Sequence, residues 1–300
     1  MIPGIDVSHW QREIDWSEVK RSGVKFAFIK ATEFPDKRTS LFIDEEMRKN
    51  IAGASANGVF WSAYHFFRTH IDPVIQAKVF CETVGDFSSL PPVLDLEAAG
   101  SKGERLNYKV RQFLDETERI TNKRPIIYSS GGFWRSYLAN EKRSHTDWAR
   151  AYPLWIAQYT NLWPTPLYPW AGWEFWQYTD KGKIPGVITN VDLNWFNGSV
   201  EELERKYVVG DNSYPNNVDH GQDANREILK IKNGAKLSPI VQTQNLFRGD
   251  FQEPSHQQRI IQPEKEKIAR RSRKAIPKSN NHQREEEWIR AYFLQSTKTL

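Results

Sequence analysis

The stretch "PPVLDLE" (residues 91–97) reads as a short apolar strand entered through a proline pair, yet it carries Asp95 and Glu97. Alternate residues of a strand share a face. Leu94 and Leu96 therefore lie on one side, and Val93, Asp95 and Glu97 on the other. Desolvating unpaired carboxylates is costly, so two acids on one face of a buried strand need a reason to be there. The same parity recurs at both ends of the strand-forming region. In "GIDVSHW" (4–10), Ile5 and Val7 oppose Asp6 and Ser8; in "NVDLNWF" (190–196), Val191 and Leu193 oppose Asp192 and Asn194.

Five further stretches read as strands: "KFAFIKAT" (25–32), "VFWSAYHFF" (59–67), "PIIYSS" (125–130), "LWIAQY" (154–159) and "WEFWQYT" (173–179). Helical patterns fill the early gaps, around 41–57, 72–86, 104–121 and 131–139. After the sixth strand the gaps are short and rich in Pro, Gly and Trp. Alternating β and α argues for a parallel sheet, and eight strands for a closed barrel whose last part is irregular. In such a barrel the aliphatic faces pack beneath the helices. The acids point to the axis, and closure sets the first strand beside the eighth. Asp6, Asp95, Glu97 and Asp192 are then expected at the C-terminal mouth, where barrel enzymes carry their sites.

Clustered carboxylates bind a hard metal or do acid–base work. The histidines form no ligand cluster, and His9 and His65 have outward parity, so acid–base chemistry is the expectation, with no metal and no cofactor. Same-face neighbours on a strand have Cα atoms about 6.6 Å apart, close enough for one carboxylate to raise the other's pKa. Lys30 has inward parity and is expected to pair with one of the acids. Tyr64 and Phe66, Trp155 and Tyr159, and Phe175 and Gln177 also share inward parity, and flat aromatic faces suit sugar rings. Trp10, Trp61, Trp134, Trp163 and Trp170 fall at strand ends or in connections, where the competing explanation is core packing.

Composition bounds the rest. The chain has 300 residues, 39% hydrophobic and 13% aromatic, enough for a large core. Eleven of its 12 Trp precede residue 205. The region 205–300 is polar, with sparse aperiodic apolar residues, and is expected to be mostly disordered, with a short amphipathic helix at 284–295. The division expected is a barrel over 1–204 followed by this tail. The net charge of +5 is mild, and residues 201–300 carry 18 basic against 14 acidic side chains, too weak an excess for a nucleic-acid arm. No apolar run reaches membrane-helix length. No basic and apolar leader pattern follows Met1, so no signal peptide is expected. The single cysteine, Cys81, lies in a helical pattern and reads as a buried, inert thiol.

The motifs "GIDVSHWQ", "FAFIKATE", "AYHFF", "PVLDLE", "IIYSS", "LWIAQY", "FWQYT" and "VDLNWF" occur in an order and spacing that resembles the glycoside hydrolase family 25 lysozymes, over about residues 2–198. The resemblance implies an irregular (β/α)5(β)3 barrel and cleavage of the β-1,4 bond from N-acetylmuramic acid to N-acetylglucosamine in peptidoglycan. It implies Glu97 as general acid/base and Asp95 as the group that orients or stabilises charge, as on the substrate's 2-acetamido group. Asp6 and Asp192 would position substrate, and Tyr64 and Trp155 match the family's sugar-contacting aromatics; Phe66, Tyr128 and Gln177 are also expected to bind substrate. Phe34 departs from the family's usual "KATEG" and is expected to alter a loop at the mouth. Peptidoglycan glycan strands are the expected partner, met at the cell wall by a monomer without nucleic acid or membrane. The tail matches no wall-binding module. A chitinase-like glycosidase and a catalytically silent wall-binding barrel are the alternatives. Activity on chitin separates the first, and the presence of all four acids weighs against the second.

Overall fold

The computed structural model describes residues 1–208, apart from 36–39, 99, 140, 141 and 161; the expected tail and its helix at 284–295 lie outside the described residues. Among the described residues nine strands form one sheet: β1 (Ile2–Val7), β2 (Phe26–Glu33), β3 (Phe42–Ile43), β4 (Phe60–Phe66), β5 (Val93–Asp95), β6 (Ile126–Ser130), β7 (Leu154–Ala157), β8 (Phe175–Gly182) and β9 (Val191–Phe196). Strands β1, β2, β4, β5, β6, β7 and β8 pair in parallel in that order. Strand β9 runs antiparallel to both β8 and β1 and closes the ring of eight. The two-residue β3 hangs antiparallel on the end of β2.

Helices α1 (Trp16–Arg21), α2 (Met47–Ala56), α3 (Pro73–Val84) and α4 (Gly103–Thr121) fill the early crossovers. Their ends follow local chemistry. Asp72 accepts from the backbone N–H of Val74 and Ile75 at 2.9 and 3.0 Å, with Pro73 at the first turn, and α3 stops at Gly85 with φ 81°. Helix α5 (Gly131–Phe133) runs into a π-turn, Trp134–Leu138, and a 3₁₀ helix, Arg143–Ala151, leads to β7. None of the described helices is long and apolar enough to cross a membrane.

Strand parity sorts the core into two layers. Ile5, Val7, Leu94, Leu96 and Val191 pack outward under the helices. Phe28, Val93, Trp155, Phe175 and Phe196 fill the barrel interior. Helix α6 (Val200–Tyr207), started by a Ser199–Glu202 capping box, brings Leu203 and Tyr207 into the interior layer, with Tyr207 stacked 6.1 Å from Phe175. Fully buried Leu203 alone contributes about 2 kcal/mol, so α6 seals the end of the barrel opposite the acids.

Several expectations need correction. The stretch read as helix from 41 begins as β3, because Phe42 and Ile43 find the free edge of β2. The first strand ends at Val7, where Ser8 and Gln11 cap a 3₁₀ turn. Strand β5 ends at Asp95, so Glu97 stands in the loop beyond it. Phe34, expected to alter a loop at the mouth, directly follows β2 and is buried 6.4 Å from His65; residues 36–39 of that loop lie outside the described residues. Trp61 belongs to β4 and is buried, as are Trp134 and Trp170; of the five tryptophans assigned to strand ends and connections, only Trp10 and Trp163 are exposed.

Candidate active site

Asp6, Asp95, Glu97 and Asp192 line one cleft of about 390 Å³ at the barrel mouth. Closure explains the meeting. Strand β9 is antiparallel, so its first residues reach the same end of the barrel as the last residues of the parallel strands. Asp192 is the direct register partner of Asp6.

Two facing carboxylates repel unless they share a proton. Asp6 Oδ2 accepts from Asn194 Nδ2 at 2.7 Å and from Gln177 Nε2 at 2.9 Å, and these amide donors favour its charged form. Burial still raises the Asp6 pKa. Asp192 accepts a longer contact from Gln177 Nε2, at 3.3 Å, and hydrogen-bonds to Asp6 itself. Its pKa is pushed up to about 9, first by burial and then by the Asp6 charge, so Asp192 carries the proton of the pair. The supporting amides are themselves held. Trp155 Nε1 donates to Asn194 Oδ1 at 2.8 Å, and the hydroxyls of Tyr128 and Tyr159 donate to Gln177 Oε1 at 2.9 and 3.0 Å.

Asp95 and Glu97 form the second pair, in unequal surroundings. Asp95 is 6% exposed, and its Oδ1 is sealed with no hydrogen-bond donor among the described residues. Burial first, and the charge of Glu97 second, hold its pKa well above the ordinary carboxylate range. Glu97 is exposed on the cleft wall. Desolvation by the surrounding walls and the Asp6 charge raise its pKa as well, but an exposed carboxyl keeps part of its hydration and rises less.

Lys30 lines the same cleft, but its ion pair is with Glu33, at 2.7 Å, and not with one of the four acids. The physical reason is a second cation: Arg68 Nε also donates to Glu33, at 3.0 Å, making a three-member network beside the ring of Phe66. Burial works to raise the Glu33 pKa, yet hydrogen bonds and charge from Lys30 and Arg68 together hold it below its usual value. Lys30 thus offsets some of the negative charge felt by Asp95 and Glu97.

The residues read as sugar contacts divide. Tyr64 and Phe66 are half-buried and line the cleft. Trp155, Tyr128 and Gln177 also border it, but they are 2%, 8% and 2% exposed. Trp155 packs 4.2 Å from Phe28 and 4.4 Å from Tyr128 and offers no open ring face; it and Gln177 hold the acids in place. Phe175 is fully buried in the interior. Trp10 on the cleft lip, 73% exposed, and Tyr159 just beyond β7, 55% exposed, present open rings on this side of the barrel. Sequence reading passed over Asn194 as a site residue, although its place two residues after Asp192 on one face was the available signal. Glu33 and Arg68 gave none, because their pairing depends on the adjacency of β2 and the end of β4. Outward-facing His65 is a core residue, bonded to Thr32 Oγ1 at 2.8 Å and Gln76 Oε1 at 2.9 Å. Cys81 is buried and its thiol is pushed up to about 12, first by desolvation, which leaves it inert.

The sequence model described as Glycosyl hydrolases family 25 matches residues 5–187. The chain is similar to the uncharacterized protein YegX of Escherichia coli K12, 38% identical over 211 residues that cover 68% of this chain and 72% of the relative. It is 33% identical over 214 residues to Lysozyme M1 of Streptomyces globisporus, covering 67% of this chain and 70% of the relative. Among solved structures, the bacterial lysozyme from Streptomyces coelicolor superposes with a TM-score of 0.62 at 31% identity, over 69% of this chain and 97% of that one. The muramidase from Acremonium alcalophilum gives 0.60 at 29% identity, over 68% and 98%. With the family match spanning the barrel strands from β1 to β8, the chain belongs to glycoside hydrolase family 25.

Proposed function

We propose that this protein is a peptidoglycan hydrolase that cleaves the β-1,4 bond from N-acetylmuramic acid to N-acetylglucosamine, with Glu97 as general acid and then base. The observation that carries the reading is the unequal pair at the mouth: Asp95 buried with an unpartnered oxygen, and Glu97 open to the cleft. Two carboxyls whose environments push their pKa values apart divide the acid and base roles.

In the free cleft, burial favours the protonated form of Asp95. A substrate acetamido N–H that donates to Asp95 favours its carboxylate form and passes the proton to Glu97. Glu97 then protonates the leaving glycosidic oxygen. As the glycosidic bond breaks, the acetamido oxygen closes on the anomeric carbon, and the ionised Asp95 stabilises the positive charge this places on the acetamido group until water displaces it. A water molecule attacks in the second step, and Glu97 takes its proton. Asp6 and Asp192, fixed through Gln177 and Asn194, position the sugar and keep the cleft's negative potential constant.

Digestion of purified peptidoglycan, borohydride reduction and mass spectrometry of the fragments test the reading. Reduced muramic acid ends are expected. Reduced glucosamine ends would make the protein a glucosaminidase, and the absence of new reducing ends would make it an amidase or peptidase.

A further inference from the structure

A second hollow, of about 520 Å³, lies between the first half of α4 and the 3₁₀ helix Arg143–Ala151. Because α4 follows β5, its N-terminal turns lie at the same end of the barrel as Glu97, but on the outer wall. The lining is chemically distinct from the acidic cleft. Arg105, Tyr108 and Arg111 repeat every three residues along α4, and His145 and Trp148 line the same hollow from the other segment.

Among the described residues neither guanidinium is engaged: Arg105 and Arg111 form no ion pair, and the α4 acids Glu116 and Glu118 are taken by Lys78, Arg119 and Arg124. Among the described residues Glu104 is the one acid of the lining, against two arginines. Tyr108 is 64% exposed. Trp148 is fixed by the bond from its Nε1 to Asn107 Oδ1 at 3.0 Å. His145 Nδ1 is buried with no partner among the described residues, so it is a nitrogen that a ligand in the hollow could satisfy. Planar guanidinium forks recognise oxyanions in two-point fashion, and aromatic walls accept the apolar faces of a polymer.

We propose that this hollow is a second binding site for an oxyanion-bearing segment of the wall polymer, a peptide-stem carboxylate or a phosphodiester. The proposal rests on the wall-hydrolase reading above. A polymer held on the outer wall raises the local concentration of glycan at the mouth, which lowers KM on intact walls and leaves turnover of short fragments unchanged.

The test uses the full chain carrying Glu97→Gln, so that no substrate is consumed. Calorimetric titration at low salt uses two probes, a disaccharide-tetrapeptide muropeptide and a poly(glycerol phosphate) oligomer. The double substitution Arg105→Gln/Arg111→Gln is expected to weaken saturable binding about tenfold or more, the loss of one charge-assisted contact. Tyr108→Ala provides a second variant, and Lys78→Gln a charge control that binds as before. Loss for the muropeptide alone assigns the carboxylate source; loss for the phosphate polymer alone assigns the phosphodiester. In the otherwise native enzyme, the double variant raises KM on whole walls by a similar factor with kcat on soluble fragments unchanged. No saturable binding of either probe, unchanged binding in the arginine and tyrosine variants, or equal weakening by Lys78→Gln overturns the proposal. Failure of the wall-hydrolase reading appears separately, as absence of product from the unmodified protein while the titrations still read.

Discussion

Replacing Asp192 by Asn tests the proton shared across the β1–β9 register. Asp192 faces Asp6 directly and holds its proton up to about pH 9 in the folded protein, against 3.8 for an ordinary aspartate. Between those values the native state binds a proton that the unfolded chain has released, so stability falls as pH rises through that window. One full proton of difference corresponds to about 1.4 kcal/mol per pH unit. Halving this for the partial exposure of Asp192 gives about 0.7 kcal/mol per unit, or about 2 kcal/mol between about pH 5 and about pH 8. Asn keeps an amide donor toward Asp6 and cannot ionise. The variant's melting temperature should therefore gain on the native protein's by about 4–8 °C over that range, at about 2–4 °C per kcal/mol for a domain of this size. Parallel thermal unfolding by circular dichroism across the range measures it. Asp95 and Glu97 are present in both proteins and drop out of the difference. A gap that stays flat with pH, or narrows, refutes the shared proton.

Other expectations follow from single features. His65 is buried neutral with its pKa pushed down to about 4, mainly by desolvation, so its stabilising effect is complete above about pH 6.5 and is lost as pH falls toward 4. His65→Gln should flatten the acid side of the stability profile in that interval; an unchanged slope removes His65 from the acid response. Trp155→Ala should cost about 3–5 kcal/mol in urea unfolding, because the ring is interior packing as well as the donor that fixes Asn194. A change in KM with no loss of stability would make it an open sugar platform instead. Truncation after Val208 keeps α6 and should leave a folded barrel active on soluble fragments. An unfolded or inactive product would extend the catalytic domain into the later chain.

What the sequence disclosed was what strand periodicity controls. Faces alternate locally, so Ile5, Leu94 and Val191 could be separated from Asp6, Asp95 and Asp192 without knowing how the strands pair. Barrel closure, read from the order of strands, placed the four acids together at one mouth. Side chains whose partners come from elsewhere in the fold were not legible. Lys30 goes to Glu33 because Arg68 arrives from the end of β4, and Trp155 turns from ligand platform to buried support because Phe28 and Tyr128 close over its faces. Element ends were misplaced where a long-range edge decided them, as β3 shows by pairing with β2 inside a helical pattern. Short α6 escaped notice because its two anchors, Leu203 and Tyr207, are ordinary until the open end of the barrel is there to receive them.

The most direct measurement is turnover of soluble peptidoglycan fragments by Glu97→Gln, beside a thermal unfolding curve of the same preparation. Gln preserves shape on the cleft wall and cannot donate the proton. The account predicts unfolding close to that of the native protein and turnover reduced by about 10²–10⁴-fold, the usual contribution of a positioned general acid. A folded Glu97→Gln protein that turns over at near-native rate would contradict it, and the proton would have to come from another group of the cleft.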